Sequence, residues 1–186
     1  RGKGPHHSDN LEAWFFHTPG LKIIIPSTPF DVKGLLKSSI RDDGPVLFIE
    51  NANLYNTKGP VPDEEYTIPL GKAEVKREGK ELTIVATSIQ VSNALKAAHE
   101  LENIGISTEV IDLRSLSPLD IDAVVESVKK TSRLLIIHEA YKKGGIGAEI
   151  ASIIMEKAFE YLDAPVERLG GLEVPIPFAE PLEREV

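Results

Sequence analysis

The densest group of chemically active side chains is His6-His7-Ser8-Asp9. It holds the residue types of a Ser-His-Asp triad, but triad members must converge, and consecutive residues project in different directions. Two imidazoles and a carboxylate are also metal-ligand types, although no remaining ligand or second shell is visible. The other readings are a solvated loop or helix cap, and one histidine acting alone as a hydrogen-bond donor or acid/base group beside a cofactor. Gly144-Gly145-Ile146-Gly147 stands between a strand and a helix, where backbone N–H groups could cradle a phosphate. It lacks the full dinucleotide fingerprint and an acidic residue at the expected offset, so a tight strand-to-helix turn is the favoured reading. His138-Glu139 closes an apolar strand, at the edge where open α/β sheets bind ligands. A lone histidine there is more often an interface or hydrogen-bonded residue. His17 falls near a helix end, where the dipole accounts for it. Asp42-Asp43 reads as a turn pair.

These residues need elements to position them. Ser8 or Asp9 is placed to cap a helix through Leu11, Trp14 and Phe15, with Glu12 in the first turn, and Pro19-Gly20 stops it. Leu21 to Ile25 reads as a buried strand. Thr28 or Pro29 opens a helix through Ile40, and Val46 to Glu50 is a further strand. Residues 56–71 are rich in Pro, Gly and charge, which is linker chemistry. Beyond them come a strand at Leu82 to Thr87, a helix at Val91 to Asn103 and a strand at Ser107 to Leu113. A helix opened by Pro118 follows. Then come a strand at Leu134 to Ile137, a helix at Gly147 to Tyr161 and a strand at Pro165 to Leu169. Alternating strands and helices predict an α/β layer structure with a largely parallel sheet. The expected divisions are residues 1–55, a linker at 56–71 and a domain at 72–186. The first part offers about two strands, thin for a sheet domain by itself.

Composition narrows the function classes. The 186 residues carry 21 Lys+Arg against 29 Asp+Glu, a net charge of −8, which argues against nucleic acid as the main ligand. There are no cysteines, so disulfides and thiolate zinc sites are excluded. The longest apolar runs are too short to span a bilayer. The expectation is a soluble, cytoplasmic protein without a membrane or nucleic-acid partner.

Read in order, several stretches together resemble one family. They are His7-Ser8 with Leu11-Glu12-Ala13-Trp14-Phe15, His17-Thr18-Pro19-Gly20-Leu21-Lys22, Pro26-Ser27-Thr28-Pro29-Phe30-Asp31, and Ile40-Arg41-Asp42-Asp43. Later come Ile68-Pro69-Leu70-Gly71-Lys72-Ala73, Val110-Ile111-Asp112-Leu113-Arg114, Gly147-Ala148-Glu149-Ile150 and Val174-Pro175-Ile176-Pro177. The chain is similar to the beta subunit of the thiamine-diphosphate-dependent 2-oxo acid dehydrogenase component, within the transketolase-like group. The resemblance implies the later half of a pyrimidine-binding domain followed by a transketolase C-terminal domain.

It also implies thiamine diphosphate and magnesium in an assembly of two alpha and two beta subunits, which contacts a dihydrolipoyl acyltransferase core. The implied reaction decarboxylates a 2-oxo acid and passes the acyl group to a lipoyl arm. His7 aligns with the family's histidine near the reacting centre. The turn at Ser39, Ile40, Asp42 and Gly44 aligns with carbonyl ligands of a potassium ion. Asp9 stands where the family commonly has Gln. The family's cofactor-activating glutamate and pyrimidine-packing aromatic have no counterpart here, so the expectation is a fragment at both ends, inactive by itself. His138-Glu139-Ala140 is reminiscent of branched-chain members, and Ile68 to Ala73 is closer to pyruvate or acetoin members. The alternatives are a split transketolase-like protein and a non-catalytic assembly module that binds the acyltransferase core.

Overall fold

The computed structural model describes residues 3–185. The N-terminal part begins with two short helices, α1 (Pro5–Ser8) and α2 (Glu12–Phe16). Strand β1 (Lys22–Ile24) follows, then α3 (Pro29–Ile40), β2 (Val46–Phe48) and a 3-10 turn at Ala52–Leu54. In β1, Ile23 and Ile24 are fully buried, and each such side chain stabilises the fold by ~1.5–3 kcal/mol. Helix α3 starts as its sequence demands. Thr28 is the N-cap and its hydroxyl accepts the Asp31 N–H at 3.2 Å, with Pro29 at the first helical position. Helix α2 does not start as expected. Its N-cap is Leu11 and no side chain caps it, because Ser8 closes α1 and the Asp9 carboxylate bonds elsewhere.

Residues 56–71 contain no helix or strand, but they are not a free tether. They lie along α3. Tyr66 stacks on Phe30 with ring centroids 4.6 Å apart, and its hydroxyl donates to the Phe30 carbonyl. Lys37 and Arg41 both pair with Glu65. Ser38 donates to the Ile68 carbonyl at 2.6 Å. Gly34 makes room for this: a Cβ there would lie 2.6 Å from Ile68 Cγ1.

The C-terminal part runs β3 (Glu74–Arg77), β4 (Leu82–Ala86), α4 (Ile89–Glu102), β5 (Thr108–Asp112), β6 (Ser115–Ser117), α5 (Ile121–Thr131) and β7 (Leu134–Tyr141). It closes with α6 (Ile146–Lys157), a 3-10 turn at Phe159–Tyr161, β8 (Glu167–Gly171) and α7 (Glu180–Glu183). Five strands form a sheet in the order β3-β5-β4-β7-β8. Only β3, on one edge, is antiparallel to its neighbour. Side chains alternate across the strands and fill two layers. Ile84, Ala86 and Val110 pack with Val91, Ala94 and Ala98 of α4. Val85, Ile111 and Ile136 pack with Val124 and Val128 of α5 and with Ile150 and Ile154 of α6. The sheet is therefore mostly parallel and covered by helices on both faces, as the alternating pattern predicted.

A second sheet has the order β2-β1-β6. Its third strand, Ser115–Ser117, comes from the C-terminal part and runs antiparallel to β1. This corrects two expectations. The strand predicted through Leu113 ends at Asp112, and the chain turns at Arg114, whose φ is +56°. Pro118 does not open a helix. It leaves β6 through a cis peptide bond, and α5 begins at Ile121. The predicted helix to Tyr161 likewise stops at Lys157, and the last strand lies two residues later than expected.

Candidate functional site

The direction of the connections locates the site. Helix α4 carries the chain from β4 to β5 on one side of the sheet, whereas α6 carries it from β7 to β8 on the other. Adjacent strands β4 and β7 thus part company at their carboxyl ends, which is where open α/β sheets bind ligands. A cavity of about 470 Å³ opens there, lined by Ile89, Gln90 and Asn93 of α4 and by Glu139 and Tyr141 of β7. The N-terminal part supplies the opposite wall with His7, Ser8, Asp9, Glu50 and Asn51.

His7, on α1, is exposed at this cavity. His6 does not line it. The triad reading fails on partners, because Asp9 Oδ1 accepts the Tyr141 hydroxyl at 2.9 Å. Among the described residues no group of three or more His, Asp or Glu could hold a metal ion. Glu139 is half-buried and accepts Asn51 Nδ2 at 2.5 Å, and burial pushes its carboxyl above the usual range. Glu12 is only 3 % exposed and its Oε2 has no hydrogen-bond partner. Burial raises its pKa, and the nearby Glu139 charge adds to the effect. The sequence placed Glu12 at a helix start, where an ionised carboxylate is welcome. Burial under the fold reverses that preference.

The glycine turn is not a phosphate cradle. A Cβ on Gly145 would lie 2.5 Å from His138 Cε1, and one on Gly147 would lie 3.0 Å from Nε2, so the imidazole already fills the turn. His138 is 2 % exposed, its Nδ1 is 3.0 Å from the Ala140 carbonyl, and burial pushes its pKa down. It is a neutral core histidine. His17 is the C-cap residue of α2, which the helix dipole suits.

At the turn after α3, Lys22 Nζ is 2.5 Å from Asp42 Oδ1, which also accepts the Gly44 N–H at 2.8 Å. The lysine holds the Asp42 carboxyl below its usual pKa. Ser39 donates its hydroxyl to the Leu35 carbonyl.

Sequence reasoning missed a buried ionic cluster between the two parts. Arg114 reaches Asp31 at 3.2 Å and Glu74 at 3.1 Å, and Lys76 reaches Asp31 at 3.1 Å. Asp31 and Asp112 are fully buried. It also missed Asn51 and Tyr141. The only available signal was the period of two that puts Glu139 and Tyr141 on one face of β7.

The transketolase C-terminal domain family matches residues 71–186, and the transketolase pyrimidine-binding domain family matches residues 2–58. The chain belongs to the transketolase family. It is 52% identical over 178 residues to the pyruvate dehydrogenase E1 component subunit beta of Rickettsia felis, covering 96% of this chain and 55% of that protein. It is 49% identical over 177 residues to the acetoin:2,6-dichlorophenolindophenol oxidoreductase subunit beta of Bacillus subtilis, covering 95% of this chain and 52% of that one. A solved split gene transketolase, described as an inactive beta4 tetramer, superposes with a TM-score of 0.76 at 30% identity, covering 88% of this chain and 52% of that one. This transketolase-family chain spans about half the length of the curated relatives it matches. No helix among the described residues is long and apolar enough to cross a membrane.

The family is thiamine-diphosphate-dependent. The residues of this chain do not fit the diphosphate and magnesium end of that group. Among the described residues the cavity wall carries Asp9, Glu50, Glu139 and Glu183 but Lys3 as its one cation, whereas a diphosphate needs the opposite balance, and no cluster of three or more His, Asp or Glu is placed to hold the magnesium.

Proposed function

We propose that the chain is part of the beta subunit of a 2-oxo acid dehydrogenase complex, which oxidatively decarboxylates pyruvate or a branched-chain 2-oxo acid and passes the acyl group to a lipoyl arm. The observation that carries this reading is His7 exposed at the cavity over the β4/β7 divide, in a chain 52% identical to a pyruvate dehydrogenase beta subunit. Histidine suits the role because an imidazole both donates and accepts a proton near neutral pH. In this reading His7 hydrogen-bonds the substrate's reacting oxygen and manages a proton there, while Asn51 and Glu139 close the wall beside it.

The diphosphate and magnesium are then held by an alpha-type partner. A second beta chain and the acyltransferase core complete the assembly, which we place in the cytoplasm. Trp14 and Ile40, 76 % and 74 % exposed, are apolar surfaces that subunit contacts would cover. We further propose a potassium ion on the carbonyls of Ser39, Ile40, Asp42 and Gly44. Ser39 and Ile40 close α3, where helix carbonyls run out of intrahelical N–H partners and carry the negative end of the dipole, which supports this. The Asp42 carboxylate is already matched by Lys22, so the backbone carbonyl is what Asp42 offers the ion.

The test is reductive acylation of a lipoyl domain by the subunit assembled with an alpha partner, comparing pyruvate with branched substrates. His7→Ala should lower turnover ~10²-fold or more without changing the fold. Unchanged acylation would remove His7 from the chemistry. The split transketolase structure favours a second reading, a transketolase half-subunit. Ketol transfer between sugar phosphates, with no lipoyl acylation, would decide for it.

A further inference from the structure

His7 sits between two ties that both lead to the C-terminal part of the chain. Three residues before it, Gly4 is buried with φ +65°, and the Phe178 ring lies where a Cβ would stand. Two residues after it, Asp9 Oδ1 accepts the Tyr141 hydroxyl at 2.9 Å. Phe178 follows β8, and Tyr141 ends β7.

Between these ties α1 has little to hold itself. It is four residues long, has no side-chain cap and buries none of its residues. Its backbone closes with His7 N–H on the Gly4 carbonyl at 3.3 Å. One turn of helix is unstable in water, because several dihedrals are fixed for one hydrogen bond. Among the described residues, the contacts that set the place of the imidazole are therefore at the two ends of the turn. A phenol on a carboxylate is charge-assisted and directional. An aromatic ring against a glycine admits the backbone to a depth no side chain allows.

We propose that Tyr141 and Phe178 are positioning residues for His7, so that the C-terminal part of the chain fixes where the catalytic imidazole stands. The catalytic half of that statement rests on the function proposed above. The positioning half is independent of it. Asn51 and Glu139 make a parallel tie across the same cavity at 2.5 Å, which keeps the two walls in register.

The test is NMR relaxation of the backbone amides of residues 6–9 in the chain, paired with turnover in the assembled enzyme. Tyr141→Phe removes one oxygen from a half-buried side chain and leaves the fold intact. It should lower the order parameters of these amides from the rigid range of about 0.85 to below about 0.6. It should also cut kcat about fivefold or more with KM little changed, the loss expected for one hydrogen bond. Phe178→Ala should do the same from the other end. Asp9→Ala removes the acceptor of the same bond, so it should match Tyr141→Phe and add nothing to it in the double variant. Unchanged order in both Tyr141→Phe and Phe178→Ala would overturn the proposal. Loosened amides in a chain whose His7→Ala form turns over normally would keep the positioning and reject the catalytic reading.

Discussion

The Ser27 hydroxyl, just before α3, donates to the fully buried carboxylate of Asp112 at the end of β5. This bond joins the two parts of the chain over 85 residues of sequence. Around it the charges do not balance. Among the described residues, Asp31, Glu74 and Asp112 face only Lys76 and Arg114, and both cations reach Asp31 and Glu74 before Asp112. Asp112 is the odd acid, and burial pushes its pKa up to about 7 against the tempering effects of Ser27 and Lys76.

A pH dependence follows with a definite sign. The folded pKa of Asp112 lies above its unfolded value of 3.8. Its contribution to stability is therefore complete below the unfolded value and is lost as pH rises through about 7. The shift of about 3 units sets an upper limit of about 4 kcal/mol. Asp112→Asn keeps a hydrogen-bonding side chain and has no proton to lose. Thermal melts between pH 5 and 8.5 should show the wild type falling relative to this variant, and parallel curves would refute the assignment.

Gly34→Ala should loosen the segment that runs along α3. The new methyl would meet Ile68 at 2.6 Å, an overpacking that costs ~1–3 kcal/mol. Limited proteolysis should find new cleavage between residues 56 and 71, with a lower melting temperature.

Gly145→Ala should destabilise the chain by a similar ~1–3 kcal/mol, because its methyl would stand 2.5 Å from His138 Cε1 and 2.6 Å from the Tyr141 carbonyl. Chemical denaturation measures this. A neutral substitution would mean that the turn is open and the phosphate reading must return.

Thiamine diphosphate with magnesium should not bind this chain by itself, since the acidic cavity wall repels the diphosphate and no cluster of three or more His, Asp or Glu among the described residues is placed to hold the metal. Calorimetry should show no heat, and tight binding would contradict the division of the site between chains. Exchanging sodium for potassium should raise the melting temperature if the α3 turn holds the ion. Equal melting would remove that site.

Much of the fold was legible because its signals are local. Thr28 and Pro29 announce α3, and Ala94 and Ala98 mark the buried face of α4. The apolar runs of β4, β5 and β7 told of a sheet covered on both sides. Strand β6 was not legible. Ser115-Leu116-Ser117 has no strand signature and exists because β1, some ninety residues earlier, offers it a partner. Of the candidate site, the sequence marked the His7-Ser8-Asp9 stretch and the strand-end Glu139, all of which line the cavity, and the resemblance singled out His7 among them. Glu12, Asn51 and Tyr141 acquire their roles by meeting residues from the other part of the chain.

The division has a physical cause. The sequence by itself determined the existence of the long helices, the mostly parallel sheet and the family, because capping, periodicity and motif order act over a few neighbours at a time. The tertiary structure alone decided that Tyr141 meets Asp9, that Ser27 meets Asp112 and that His138 fills a glycine turn. Those outcomes depend on which surfaces come together and exclude water, and burial reverses what an exposed Glu12 or Asp112 would prefer.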